Sequence, residues 1–131
     1  MIFIDSNIPM YLVGADHPHK QRSEELLRHF VTARERLVTD VEVFQEMLHR
    51  YTAIRRRQMI EPGWQTLAGL VDDVFAVELN HVEKAKGLCL EHDSLSARDA
   101  LHVAVMVAHE IEQILTFDTG FDSVPGIQRI Y

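Results

Sequence analysis

Disulfide cross-links are the first thing this chain lacks. Its 131 residues include a single cysteine, Cys89, so no bridge can form within the chain. The thiol reads as a small buried hydrophobe in a reducing compartment. Long apolar runs are missing too. The longest helical one, Val103 to Ala108, covers six residues, against the roughly 20 that a membrane span needs. Met1–Ile4 is too short to be a signal peptide and has no basic flank, so the expected location is the cytoplasm. No repeat, low-complexity tract or Ser/Gly linker interrupts the sequence. Positive charge is also scarce, with 13 Lys and Arg against 20 Asp and Glu and a net charge of -7. Nucleic-acid binders usually present a basic face, so this balance counts against that class unless some of the acids hold cations.

What remains is the composition of an ordinary soluble globular protein, 47% hydrophobic and 25% charged. The length predicts one domain, residues 1–131, able to bury about two-thirds of its unfolded surface. Strand-length apolar runs alternate with amphipathic stretches. Strands are expected at Met1–Ile4, Arg36–Thr39, Val74–Leu79, Ile114–Phe117 and Ile127–Tyr131. Helices are expected at Ile8–Val13, from Pro18 to about Phe30, at Asp40–Gln58, Trp64–Val71, Asn80–Leu90 and Ser96–Glu110, with a break at Pro62-Gly63. The last of these helices is apolar nearly all round and should be central. Such alternation predicts an α/β fold with a mostly parallel sheet. Ligands bind such sheets outside the carboxyl ends of the strands.

Carboxylates stand at those ends. Asp5 follows the first strand in Asp5-Ser6-Asn7 and Asp118 follows the fourth. Any of Asp5, Ser6 and Asn7 could cap the next helix, but capping does not explain three polar residues in a row between apolar runs. Thr39-x-x-Glu42 matches a capping box, which gives Glu42 a structural task. Glu46, one turn on, has no such task and flanks the stripe of Val41, Phe44, Leu48 and Tyr51. Ser96-Ala97-Arg98-Asp99 also fits a cap, yet Asp99 opens an apolar helix and needs a partner, a cap bond or a cation there. Asp118-Thr119-Gly120 is turn chemistry. Brought together without cations, such acids would repel one another, and Mg²⁺ or Mn²⁺, hard ions that prefer oxygen ligands, would relieve that repulsion.

The stretches FIDSNIPMYL, LVTDVEVFQEML, LSARDALHVAVM and ILTFDTGFD resemble, in order and across the whole chain, the PIN-domain nucleases, specifically the VapC-type toxins of toxin–antitoxin pairs. SARDALHVA and LTFDTGFD are the most specific matches. The resemblance implies a three-layer α/β/α fold around a mostly parallel sheet. It implies a cleft of four acids, Asp5, Glu46, Asp99 and Asp118, that hold one or two Mg²⁺ or Mn²⁺ and hydrolyse RNA phosphodiester bonds to 5′-phosphate and 3′-hydroxyl ends. It adds Ser6, Asn7 and Thr116 as polar support and Asp122 as an extra acid. Its implied partners are RNA, a cognate antitoxin and a second copy of the chain. Bound cations would reverse the local sign where the phosphate sits, which answers the charge objection.

Other residues carry plainer readings. Arg50, Arg55, Arg56 and Arg57 suit the end of a helix dipole, with RNA backbone or an acidic antitoxin segment as the rival reading. His102, three residues after Asp99, reads as a packing residue near the cleft, because no Cys/His set accompanies it to make a zinc site. Met47, Leu48 and Trp64 read as core or interface. Competing functions are a PIN-like module that binds RNA or protein without catalysis and a PIN ribonuclease of RNA maturation. A haloacid-dehalogenase-like phosphatase would want an Asp where Asn7 stands, and a receiver domain would want a Lys in the late strands, which have none.

Overall fold

The computed structural model describes residues 1–131. Five parallel strands form one sheet in the order β3-β2-β1-β4-β5, with β1 at Ile2–Ile4, β2 at Leu37–Asp40, β3 at Asp73–Phe75, β4 at Gln113–Leu115 and β5 at Gln128–Ile130. Six α-helices connect them: α1 (Asn7–Val13), α2 (Pro18–Thr32), α3 (Val41–Ala53), α4 (Ile60–Leu70), α5 (Leu79–Glu91) and α6 (Ala97–Ala108). β1, with Ile2, Phe3 and Ile4 at 1% exposure or less, is covered on both faces, as the central strand of a parallel sheet must be. Right-handed crossovers put α1–α4 on one face and α5–α6 on the other; accordingly α1 packs on α2 and α4, and α5 lies along α6. The result is the expected α/β/α sandwich.

The chain leaves β1 toward β2 and β3, then crosses back to β4 on the other side of β1. The β1/β4 boundary is therefore the topological switch point, where such sheets open a crevice at the strands' carboxyl ends. Seven of the nine buried polar residues gather at this end of the molecule: Asp5, Ser6, Thr39, Asp40, Asp99, His102 and Thr116. No buried side-chain nitrogen or oxygen is left without a partner.

Several expected boundaries move. β2 runs one residue further, to Asp40, which pairs with Phe75 of β3. Asp40, not Thr39, is then the N-cap of α3, its Oδ1 accepting the Val43 N–H at 2.9 Å. The Thr39 hydroxyl instead donates to the Ile4 carbonyl across the sheet, so the Thr39–Glu42 capping box does not form. α3 stops at Ala53, and the chain reverses at Arg55 with φ +58°. Pro62-Gly63 does not end a helix. It lies inside the first turn of α4, where the proline lacks only an N–H that has no helical partner. Strands β3, β4 and β5 are each three residues, shorter than the apolar runs that contain them. Met47 is buried. Trp64 is 39% exposed, tilted against Phe44 on a shallow apolar face with Val41, Leu48, Ala68 and Val74.

Candidate active site

Asp5 is the first residue after β1 and is only 3% exposed. Its Oδ1 accepts the Ser6 N–H at 2.7 Å, and its Oδ2 accepts from Asn7 Nδ2 at 3.1 Å and from the Thr116 hydroxyl at 2.6 Å. Thr116 follows β4, the neighbouring strand. Its hydroxyl uses its full bonding capacity, donating to Asp5 while accepting from Asn7 Nδ2 at 2.9 Å and from the Asp118 N–H at 3.0 Å. Asn7 closes the set, its Oδ1 accepting the Phe117 N–H at 3.3 Å. The ends of β1 and β4 are thus stitched into one polar lattice. Ser6 occupies the N-cap of α1 without a side-chain cap bond, and the Ser6 N–H and the Asn7 side chain fix the Asp5 carboxylate where the helix begins.

Asp99 arrives from α6, its N–H bonded to the Ser96 hydroxyl cap at 3.1 Å. That bond sets the first turn so that the carboxylate faces Asp5 and Asp118. Asp118 follows β4 and caps the 3₁₀ turn Thr119–Ser123 by accepting the Gly120 N–H at 2.9 Å. A Cβ on Gly120 would stand 3.2 Å from Asp118 Oδ1 and 3.4 Å from Asp99 Oδ2. A side chain here would press on both carboxylates, so glycine gives them the most room. Burial raises the Asp99 pKa, the charges of Asp5 and Asp118 and a hydrogen bond to Asp118 add to it, and it reaches about 7. Burial also raises Asp5, against the lowering effects of the His102 charge and the Thr116 bond.

Glu46 comes from α3, one turn beyond Glu42. It reaches the cluster through His102, a residue whose part the sequence hides. His102 has no exposed surface. Its Nδ1 lies 2.8 Å from Asp40 Oδ2 and its Nε2 lies 3.3 Å from Glu46 Oε2. Burial alone would lower its pKa. The bonds to Asp40 and Glu46 and the charges of Asp40 and Asp5 outweigh burial and hold it well above the ordinary value. Both ring nitrogens thus face carboxylate oxygens, an arrangement that favours the protonated ring. Glu46 responds in kind: burial pushes its pKa up, but the bond and charge of His102 carry it below the usual value. Spacing shows only that Asp99 and His102, three apart on one helix, face the same way; the partners of His102, Asp40 and Glu46, come from the start of α3, 62 and 56 residues away in sequence.

The acids Asp5, Glu46, Asp99 and Asp118 thus share the floor of one cleft, with Ser6, Asn7 and Thr116 around Asp5. Asp122 is not with them. Its carboxylate forks onto Arg129, with Nε at 2.9 Å and Nη2 at 3.1 Å, which holds its pKa below the ordinary value. Glu42 pairs with Arg98 at 3.5 Å at the rim. Two cavities, of about 840 and 460 Å³, meet at Glu46 and Asp118. One carries Lys86 and Arg98; the other carries Arg50, Tyr11, His19 and Phe117. Arg55, Arg56 and Arg57 are exposed and line neither.

This arrangement suits a divalent cation. Oxygen donors converge, and one carboxyl has its proton affinity raised by uncompensated neighbours. Ligand atoms of Asp5, Glu46 and His102 lie within 4.8 Å of one another. Both ring nitrogens of His102 already face Asp40 and Glu46, so the carboxylates are the readier ligands.

Comparison with known proteins gives the family. Residues 2–127 match the PIN domain family. The chain is 54% identical over 130 residues to Ribonuclease VapC13 of Mycobacterium tuberculosis, spanning 99% of each. It is 37% identical over 118 residues to Ribonuclease VapC23 of the same organism, spanning 90% of this chain and 93% of that one. In fold it matches the sarcin-ricin loop cleaving toxin VapC20 of Mycobacterium tuberculosis, with a TM-score of 0.72 at 23% identity over 94% of both chains. It also matches VapBC2 of Rickettsia felis, with a TM-score of 0.75 at 12% identity over 99% of this chain and 98% of that chain. The chain belongs to the PIN-domain family, in its VapC ribonuclease branch.

Proposed function

We propose that the chain is a Mg²⁺- or Mn²⁺-dependent endoribonuclease, the toxin of a toxin–antitoxin pair, with Asp5, Glu46, Asp99 and Asp118 as both its metal ligands and its hydrolytic centre. The observation that carries this reading is the convergence of these four acids from β1, α3, α6 and the end of β4 on one cleft. A divalent cation held there would lower the pKa of a water and offset charge on the phosphate. The chain's own part is positional. Thr116, Asn7 and the Ser6 N–H fix Asp5, and His102 holds Glu46 ionised. Asp99, with a pKa of about 7 without a cation, would be one of the carboxylates that hold the ion in its ionised form. A cleft that continues on both sides of the acids suits cutting within a strand rather than at its end. Arg50 on one side and Lys86 and Arg98 on the other offer cations to the backbone. The partners this reading requires are RNA, an antitoxin that keeps the cleft closed to RNA, and a second copy of the chain, all in the cytoplasm.

The test is cleavage of labelled cellular RNA by the antitoxin-free protein. Cutting is expected with Mg²⁺ or Mn²⁺, leaving 5′-phosphate and 3′-hydroxyl ends, and is expected to disappear with EDTA and return when metal is added back. Metal-independent cutting, or 2′,3′-cyclic phosphate ends, would sink the reading. Asp122→Asn is expected to cut at the wild-type rate, because its partner is Arg129 and not the cluster. A loss as large as that of the other acids would put Asp122 back among the ligands.

A further inference from the structure

Beside the acids, four rings cluster around the start of α2. His19 lies flat on Phe117, with centroids 3.9 Å apart and planes at 4°. Tyr11 meets both edge-on, at 5.0 Å from His19 and 5.6 Å from Phe117, and His17 flanks Tyr11 and His19 at 4.9 and 4.8 Å. Core packing would bury such a cluster, yet Tyr11, His19 and Phe117 are only half-buried and His17 is exposed. The loop that bears them is braced: the His19 N–H donates to His17 Nδ1 and Lys20 Nζ to the Gly14 carbonyl, both at 3.0 Å.

The rings are also tied to the cleft by the chain itself. Phe117 stands between Thr116, which holds Asp5, and Asp118, and its N–H is bonded to Asn7. Tyr11 follows Asn7 by one turn of α1. Tyr11, His19 and Phe117 share one cavity wall with Asp5, Glu46, Asp118 and Arg50. Arg50 is exposed, and the two glutamates of α3 pair elsewhere, with Arg98 and His102.

We propose that Tyr11, His19 and Phe117 form a nucleobase subsite, which stacks one unpaired base of the RNA next to the scissile phosphate while Arg50 takes the adjoining backbone phosphate. This rests on the ribonuclease reading. A phosphate at the acids necessarily places a nucleoside on each side of itself, and this wall of the cleft offers ring faces where the opposite arm offers Lys86 and Arg98. Stacking on aromatic and imidazole rings is how single-stranded RNA is held without a base-pairing partner. The substrate segment is therefore unpaired at that position, and tolerant of base identity there, because every base has a π face.

The test reads stacking apart from chemistry. Short unstructured RNA oligonucleotides, each with 2-aminopurine at a different position, are titrated with Asp99→Asn protein in Mg²⁺. Quenching is expected at one position. It should disappear in Asp99→Asn combined with His19→Ala or Tyr11→Ala, and return when His19→Phe replaces His19→Ala. With the Asp99 position restored, His19→Ala should raise KM by about ten- to a hundredfold, with His19→Phe recovering most of it. Arg50→Ala should weaken binding and flatten its salt dependence without abolishing quenching. Folded His19→Ala and Tyr11→Ala proteins that quench and cleave like their parents would overturn the proposal and leave the rings as loop packing or a protein contact. Quenching without any metal-dependent cleavage by the wild-type chain would uphold the subsite and remove the hydrolytic reading instead.

Discussion

Replacing Asp99 with Asn should both stop RNA cleavage and raise the melting temperature of the metal-free protein. The first effect follows from ligand loss. A divalent cation contributes several kcal/mol of transition-state stabilisation, and losing about 4 kcal/mol is about a thousandfold in rate. The second follows from the charges already present. Without metal, Asp99 faces Asp5 and Asp118, and its carboxyl binds a proton up to about pH 7, where the unfolded chain has already released it. Stability therefore falls as pH rises from about 4 to about 7. Asp5, also raised, pulls in the same direction. So does His102, whose raised pKa gives stability below its unfolded value of about 6.5 that is lost as pH climbs through the folded value. Glu46 and Asp122 are lowered; their contributions lie at acid pH and are flat from 5 to 8.

In EDTA the wild type should thus melt lower at pH 8 than at pH 5. The Asn variant removes a carboxylate whose ionisation is opposed first by burial and then by the Asp5 and Asp118 charges, a gain of about 1–2 kcal/mol once the remaining acids relax. That is a gain of about 3–8 °C at pH 8 in a domain this size, and less than half of that at pH 5. Mg²⁺ should stabilise the wild type more than the variant, which keeps three of the four acids, since only a bound ion shifts the melting point. Scanning calorimetry at both pH values, with and without Mg²⁺, checks all three. An Asn variant that melts below wild type in EDTA at pH 8 would show that the acids do not repel one another.

How much of this was legible beforehand depends on the kind of signal. Asp5 and Asp118 were legible because strand periodicity places them at carboxyl ends, and a parallel sheet directs ligands there. Asp99 was legible because the Ser96 cap fixes the phase of an apolar helix. The start of α3 was not. Thr39 and Asp40 are both good caps, and only the extra ladder pair between Asp40 and Phe75 decides between them. A cap at Thr39 occupies Glu42 and leaves Glu46 free. Glu46 is in the cluster, but the capping box that favoured it does not exist; Glu42 sits at the rim, paired with Arg98. Helix ends were blurred for a related reason. Arg34, Arg55 and Glu110, not glycines, take the left-handed turns after α2, α3 and α6, with φ of 56°, 58° and 57°. Asp122 looked like a fifth acid because nothing local shows that Arg129, seven residues on in β5, folds back to claim it. The Asp40–His102–Glu46 relay spans α3 and α6, so no local pattern could have revealed it.

That relay gives the second large effect. His102→Leu keeps an apolar side chain of similar size beside Phe3, whose ring lies 5.5 Å from the imidazole, but strands Asp40 Oδ2. Asp40 has no exposed surface; its Oδ1 is already committed to the Val43 cap, and Oδ2 has no partner other than His102 Nδ1. Breaking a buried pair while leaving one charge behind costs about 3–5 kcal/mol, a fall of about 10–15 °C in melting temperature at this chain length. It is a large part of the roughly 5–15 kcal/mol that holds such a domain folded. Removing both partners tells pairing from packing. In Asp40→Ala with His102→Leu no stranded charge remains, and the cost reduces to the lost helix cap, about 1 kcal/mol, plus repacking. The double variant should therefore be more stable than His102→Leu alone, with a coupling of about 1–3 kcal/mol by urea unfolding. Glu46 stays unpaired in both, so neither variant recovers wild-type affinity for Mn²⁺: stability returns and metal binding does not. Additive losses in the double variant would mean that His102 only fills space between α3 and α6, and that Glu46 holds its place in the cleft without it.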